Sequence, residues 1–476
     1  MDMDDLHYPQ GVREVQFGSY RKLLLLAGPL ILSHMGLMLM QVVDGLFLAR
    51  YSKNAIAAIG PSGMTFWLLC GLFIGLVGYT NTFVAQYVGA KQNDRVGSAV
   101  WQGIYLSLLA AAVLLAASLI AKPLFALVGH DAGIQADEVV YFRTLCYGGL
   151  GFMLSAAISG FFAGRNDNVP LMLAAIAGNL VNALGAWILV FGRLGLPEMG
   201  MAGAAWAAVA GQGVQMLILA CLLFRPRFLR EFGIWRDRHV DLPLMWRMCQ
   251  YGFPNGVRYV IEILAWTVFL LLLGRVDTDG LAASNIVWRI NGMAFFPVIG
   301  LSIAVSMLVG QAQGAGRPDL SKKVTHRGLI LGQIWMACCA LAMVAIPNLL
   351  LDVFLDPGAA TDHELRGLSV ILLRFVAVYC LVDGLNILFM SVLAGAGDTR
   401  WMLIISGGLH AGFVAVLLAL SLVHASLYTF WLAATIFIFS AAAAWIIRFR
   451  SGRWENKRVI DCPPADVIEG GCPAHN

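Results

Sequence analysis

The sequence predicts an all-α integral membrane protein: twelve transmembrane helices in two parallel six-helix repeats. Three observations predict it. Apolar runs long enough to cross a bilayer recur along almost the whole chain. Of its residues 59% are hydrophobic and only 13% charged, where a soluble globular protein is nearer to about 25% charged. The second half also repeats the first.

The first apolar run, Leu23 to Arg50, sets the pattern. It exceeds the roughly 20 residues that cross the hydrocarbon core. It lacks a small-residue cleavage site and is too long for a signal-peptide core, so it is expected to stay as a helix. Eleven more runs follow, over about 61–88, 98–121, 138–162, 170–191, 202–224, 248–273, 281–310, 328–350, 368–394, 401–422 and 427–447. An even number of spans puts both termini on one side.

Basic residues choose the side, because Lys and Arg accumulate in cytoplasmic loops. With a cytoplasmic N-terminus, 22 of the 32 fall in inner segments and 6 in outer loops; Arg143, Arg258, Arg289 and Arg374 lie within the runs. Both termini are therefore expected in the cytoplasm. The chain divides into an N-terminal segment 1–20, an N-lobe 21–225, a basic linker 226–247, a C-lobe 248–450 and a tail 451–476. The linker interleaves arginines with Phe228, Phe232, Trp235 and Trp246. That pattern fits either a segment lying on the anionic inner leaflet or a solvated connection.

The repeat is legible without gaps. Adding 225 takes Pro29 to Pro254, Arg50 to Arg275 and Ile74-Gly75-Leu76 to Ile299-Gly300-Leu301. Gln86 and Asp94 map to Gln311 and Asp319. Further on, a shift of 231 takes Ala163, Gly164 and Asp167 to Ala394, Gly395 and Asp398. The shift covers six spans, an even number, so the halves share one orientation. Parallel repeats are a transporter architecture with the substrate site between the halves.

Few residues carry chemistry. Asp44 lies near the end of the first run, with Gln41 one turn earlier on the same helix face. A charged side chain at membrane depth costs roughly 2.5–3.5 kcal/mol on insertion scales and usually handles an ion, a proton or a cationic substrate. Glu262 and Asp383 are the other two buried acids. Asn179 and Asn182 share a face of the fifth span, where they can serve a cation, Asp44 or a neighbouring helix. Arg258 precedes Glu262 by one turn, a spacing at which opposite charges meet. Glu262 is thus either an ion ligand or half of a permanent pair.

Other classes lack their signatures. No G-x-x-x-x-G-K-[ST] loop is present for a nucleotide. Neither a metal constellation nor a nucleophile elbow stands out, so an enzyme is not expected. Seven cysteines sit in or beside apolar runs and read as small core residues. Cys462, Cys472 and His475 lie in a polar tail, match no standard zinc spacing and are expected to be disordered. No cofactor is expected beyond a coupling ion, and nothing points to nucleic acid.

The order of several motifs resembles the multidrug and toxic-compound extrusion (MATE) family, in its NorM-like bacterial branch. The carriers are QVVDGLFLAR (41–50), AAIG (57–60), VAQYVGA (84–90) and FGRLGLPEMGMAGAAWA (191–207). In the second half they are GFPNGVRYVIE (252–262), the stretch 281–316 and VDGLNILFMSVLAGAGDTR (382–400). The resemblance implies two six-helix lobes around a central cleft in the bacterial inner membrane. It implies export of amphipathic organic cations by Na⁺ or H⁺ antiport through alternating access, by a monomer among membrane lipids. Asp44 and Asn182 match the N-lobe cluster, and Glu262 and Asp383 match the cation-linked acids of the C-lobe. Ala186 stands where members often carry an aspartate, Ser284 where a histidine is common, and Arg289 where a small polar residue is usual. The alternative is a lipid-linked saccharide or lipid flippase of a related superfamily, which calls for a cleft rich in buried arginines. Trp67, Phe66, Tyr79, Trp266, Trp288 and Phe295 offer rings to a cation, and none is assigned to the site.

Overall fold

The computed structural model describes residues 17–127, 129–355 and 362–461. Cys462, Cys472 and His475 lie outside these. Among the described residues every regular element is a helix. In chain order the helices of the first half are α1 (Tyr20–Tyr51), α2 (Lys53–Val77), α3 (Thr80–Gly89), α4 (Asn93–Leu119), α5 (Ala121–Ala126), α6 (Ala132–Tyr147), α7 (Gly149–Gly164), α8 (Val169–Val190) and α9 (Gly200–Leu223). The short α10 (Pro226–Glu231) lies in the linker. The second half has α11 (Leu242–Val276), α12 (Thr278–Gly314), α13 (Pro318–Ala345), α14 (Pro347–Leu351), α15 (Asp362–Ala396), α16 (Thr399–Leu422) and α17 (Leu427–Arg450).

Eleven of these elements are long and apolar enough to cross a membrane, counting α2 with α3, and the α6–α7 pair makes a twelfth. The chain is a multi-pass membrane protein with the twelve spans that the hydropathy pattern predicts.

The repeat is written into the backbone as well as the sequence. Ser52 caps α2, accepting from the Asn54 amide at 3.2 Å. Its counterpart at a shift of 225, Asp277, caps α12, accepting from the Gly280 amide at 2.9 Å. Such caps satisfy amides that a helix start leaves unpaired. Lys91 and Gly316 are related by the same shift, and both have left-handed φ, 59° and 71°. Asn166 and Gly397 are related by the shift of 231, again both left-handed at 61° and 94°. The six extra residues of the second half fall between its short helix α14 and α15.

One pair of equivalents differs in shape. The α6–α7 pair bends by 45° at Gly148, whereas α15 runs unbroken through the equivalent Tyr379. Gly148 and Gly149 have no side chain to fill the bend, and sharp kinks concentrate at such pairs.

The chain divides into two compact units. One contains residues 17–31 and Ile261–Arg458; the other contains Leu32–Val260 and 459–461. Each has its own core. In the first, Phe269, Phe413, Phe430 and Trp431 are among the buried residues. In the second, Leu48, Phe66, Phe125 and Phe142 are. Close backbone packing helps build the second unit. A Cβ at Gly252 would meet the Leu76 carbonyl, and one at Gly256 the Leu72 carbonyl. Small residues of this kind let membrane helices approach closely.

The linker is hydrogen-bonded to the predicted cytoplasmic end of its own unit. The Trp101 indole donates to the Ile234 carbonyl at 2.5 Å and Tyr105 to that of Arg238 at 2.5 Å. The buried Gln102 amide donates to the His239 carbonyl at 2.9 Å and accepts from the Asp241 amide at 3.1 Å. Phe228 and Phe232 face inward and, with Phe161, surround the Arg165 guanidinium at 4.5–4.8 Å. Burial lowers the Arg165 pKa, while Asp167 and Glu231 act to raise it. Trp235 and Trp246 stay exposed.

Candidate functional site

Four of the six predicted site residues, Asp44, Asn182, Asp383 and Glu262, fall into two polar clusters, one in each unit. In the first, Asp44 on α1 meets Asn182 on α8. The Asn182 amide nitrogen donates to Asp44 Oδ2 at 3.4 Å. Asp44 Oδ1 and Asn182 Oδ1 are both buried with no hydrogen-bond partner. Buried polar atoms are normally bonded, and unpaired acceptors invite a proton or a cation. Tyr141 on α6, nearly buried, lies within electrostatic reach of Asp44. Asn179 packs against Gly36 of α1, where an added Cβ would lie 2.9 Å from its amide nitrogen. Gln41 is exposed and adds no hydrogen bond to the pair. Ala186, at the position of the absent second acid, is buried in the apolar core.

In the second cluster, Asp383 on α15 accepts from the Asn386 amide nitrogen at 2.9 Å. That same nitrogen reaches the Ile438 carbonyl on α17 at 3.2 Å. Tyr379, one turn earlier, accepts from the Asn291 amide of α12 at 3.3 Å. Asn386 Oδ1 and Asn291 Oδ1 are buried without a partner. Glu262 on α11 is close enough to interact electrostatically with Asp383. Arg258 is buried, whereas Arg289 is exposed.

Asn386, Tyr379, Asn291 and Tyr141 are missing from the sequence-predicted set. Two of them carried a usable signal: Tyr379 and Asn386 flank Asp383 at i−4 and i+3 and so share its helix face. Asn291 and Tyr141 come from other helices, and no local spacing links them to either acid. The aromatic candidates are mostly packing residues. Phe66 and Trp67 lie edge-on to Phe152 at 5.3 and 5.9 Å. Trp266 and Trp288 lie 5.7 and 6.0 Å from Phe269.

The described residues thus define a helical membrane protein with isolated carboxyl–carboxamide clusters and no catalytic constellation among them, the construction of a transporter. The MatE family model matches residues 29–188 and 254–420. The two matches begin 225 residues apart, at the prolines that open the repeat. The chain belongs to the MATE family: it is a NorM-like transporter and not an enzyme. It is 28% identical over 377 residues to "Probable multidrug resistance protein NorM" of Burkholderia mallei, covering 79% of this chain and 80% of that one. The protein of the same name from Thermotoga maritima is 24% identical over 452 residues, covering 92% of this chain and 94% of its own. A solved structure described as the outward-facing conformation of a multidrug resistance MATE family transporter superposes with a TM-score of 0.81. It has 18% identity and covers 94% of this chain and 99% of that one. A MATE structure in the straight conformation gives 0.83 at 18% identity, covering 94% and 100%. Both share the twelve-helix, two-lobe fold.

Proposed function

We propose that this chain is a secondary active multidrug exporter of a bacterial inner membrane. It exchanges amphipathic organic cations for Na⁺ or H⁺ by alternating access, with both termini cytoplasmic. The observation that carries this reading is the Asp44–Asn182 pair, which holds two buried oxygens without donors. One bound proton or cation satisfies what both oxygens lack. A cationic substrate can compete for the same negative charge, and competition for one charge is the simplest form of antiport. The names of the relatives supply the substrate class, and the absence of a nucleotide loop from the sequence leaves an ion gradient as the energy source.

The Asp383–Asn386 pair, with Glu262 nearby, is the second candidate ion position. Its oxygens are hard ligands of the kind that Na⁺ takes. Asp44, Glu262 and Asp383 are assigned to coupling, with Asn182 and Asn386 orienting the carboxylates. Gln41 and Asn179 are supporting polar residues on the same two helices.

The test is ethidium efflux from proteoliposomes, with sodium and pH gradients imposed separately. Efflux driven by one gradient and lost in Asp44→Asn supports antiport and names the ion. Folded, inserted protein with no efflux under either gradient would overturn the reading in favour of a flippase. Efflux unchanged in both Asp44→Asn and Asp383→Asn would remove the acids from the mechanism.

A further inference from the structure

A second site lies away from both acid clusters, on the outer face of α5 and α6. These two helices leave a cleft of about 580 Å³ between them. Ala126, Ala136, Val139 and Val140 line it with apolar surface, and Lys122 and Arg143 bring two cations to its wall.

The cations are the unusual part. Arg143 sits about three turns into α6, on a helix pair that spans the membrane. Its Nε donates to the Ser118 carbonyl at 3.0 Å. Neither Arg143 nor Lys122 has an ion-pair partner among the described residues. Arg143 lies within the span, where an uncompensated cation is costly, and Lys122 stands beside it at the predicted outer end. The partner that this cleft lacks is an anion.

Each feature of the cleft narrows the ligand. A small inorganic anion would leave the apolar wall bare. A neutral apolar molecule would leave two cations unmatched. An amphipathic anion satisfies both, since a planar guanidinium and an ammonium grip a phosphate well. The other face of α6 is already committed: Phe142 and Tyr141 point into the core of their unit. The groove is therefore free to take a molecule from the surrounding bilayer.

We propose that this cleft is a phospholipid site. An anionic headgroup phosphate lies between Lys122 and Arg143, and an acyl chain runs along Ala126, Ala136 and Val140. The lipid is a bound partner and not the exported substrate, since neither acid cluster touches the cleft.

The test is lipid retention by the full-length protein in native mass spectrometry, titrated with phosphatidylglycerol or phosphatidylcholine. Wild type is expected to hold one phosphatidylglycerol about tenfold more tightly than phosphatidylcholine. Lys122→Gln combined with Arg143→Gln abolishes that preference. Lys122→Gln alone changes an exposed side chain without threatening the fold, and it weakens phosphatidylglycerol by about threefold or more. Ala136→Trp fills the groove and lowers retention of both lipids with both cations in place. A wild type without the preference overturns the proposal, as does a double variant that keeps it. Displacement of the lipid by glycerol phosphate as effectively as by phosphatidylglycerol would mean an anion site without a lipid groove, and would overturn it too.

Discussion

The Asp44–Asn182 pair, joined at 3.4 Å, has an aromatic pair as its counterpart in the other repeat. Shifts of 225 and 231 take these positions to Phe269 and Phe413, whose rings stack at 6.3 Å and 23°. The reverse holds for the second cluster. Asn291 and Asp383 map back to Phe66 and Phe152, which meet edge-on at 5.3 Å. Each half thus buries its polar chemistry where the other half has a hydrocarbon core. The backbone repeat is symmetric and the chemistry is not, so the two clusters are expected to have different tasks.

That asymmetry makes the acids separable. Asp44→Asn keeps the shape of the side chain and removes its charge. A coupling free energy of about 1–3 kcal/mol corresponds to about 5–150-fold in affinity, and gradient-driven efflux should fall within that range. Asn182→Ala should show a smaller loss, because the carboxylate remains and loses only its orienting donor. Initial efflux rates at matched protein levels decide it.

Asn386→Leu tests the second cluster. One amide nitrogen serves both Asp383 and the Ile438 carbonyl. Removing it leaves a buried carboxylate oxygen and a buried carbonyl without that donor, which costs about 1–3 kcal/mol. If the two clusters bind different ions, Asn386→Leu should change the sodium dependence of efflux or its pH dependence, and Asp44→Asn the other. An identical change in both dependences for both variants would contradict the division of labour.

Asp398 anchors the predicted cytoplasmic end of its unit. It is fully buried and accepts from Arg448 at 2.6 and 3.0 Å and from Lys457 at 2.6 Å. Removing one partner of a buried pair costs about 3–5 kcal/mol, so Arg448→Ala should lower the thermal midpoint sharply. Lys457 is 36% exposed, and Lys457→Ala should cost no more than about 1 kcal/mol. A thermal-shift series in detergent ranks the two.

Gly256→Val should loosen the packing of α11 on α2. The added Cβ would run into the Leu72 carbonyl, and backbone cannot move aside as a flexible side chain can. Overpacking of this kind costs about 1–3 kcal/mol. Gly213 has nothing within 4 Å of the same point. Gly213→Ala should therefore be neutral or stabilising by up to about 1 kcal/mol. Thermal midpoints of the two variants check the contrast.

Gln102→Leu should release the linker. It removes the donor to His239 and the acceptor for the Asp241 amide at once. Limited trypsin digestion should then cut at Arg236 and Arg238 faster than in wild type, with transmembrane content by circular dichroism unchanged.

By itself the sequence determined the membrane class, the twelve spans and the repeat, and it marked Asp44, Glu262 and Asp383 as acids inside spans. The reason is physical. Lipid demands long apolar runs, and a charge inside such a run cannot hide. Hydropathy and cost of burial are local properties that a sequence displays directly. It also marked the pairing candidates, of which Asn182 donates to Asp44.

Only the tertiary structure decided which partners meet. When most faces of a helix are apolar, periodicity does not report which way it is rotated, and packing against distant helices sets the rotation. Asp44 and Asn182 are 138 residues apart in the chain. The docking of the linker, the amide shared between Asp383 and Ile438, and the two cations beside one apolar cleft are of the same kind. Each depends on side chains brought together by helix packing, and no local rule of spacing encodes that.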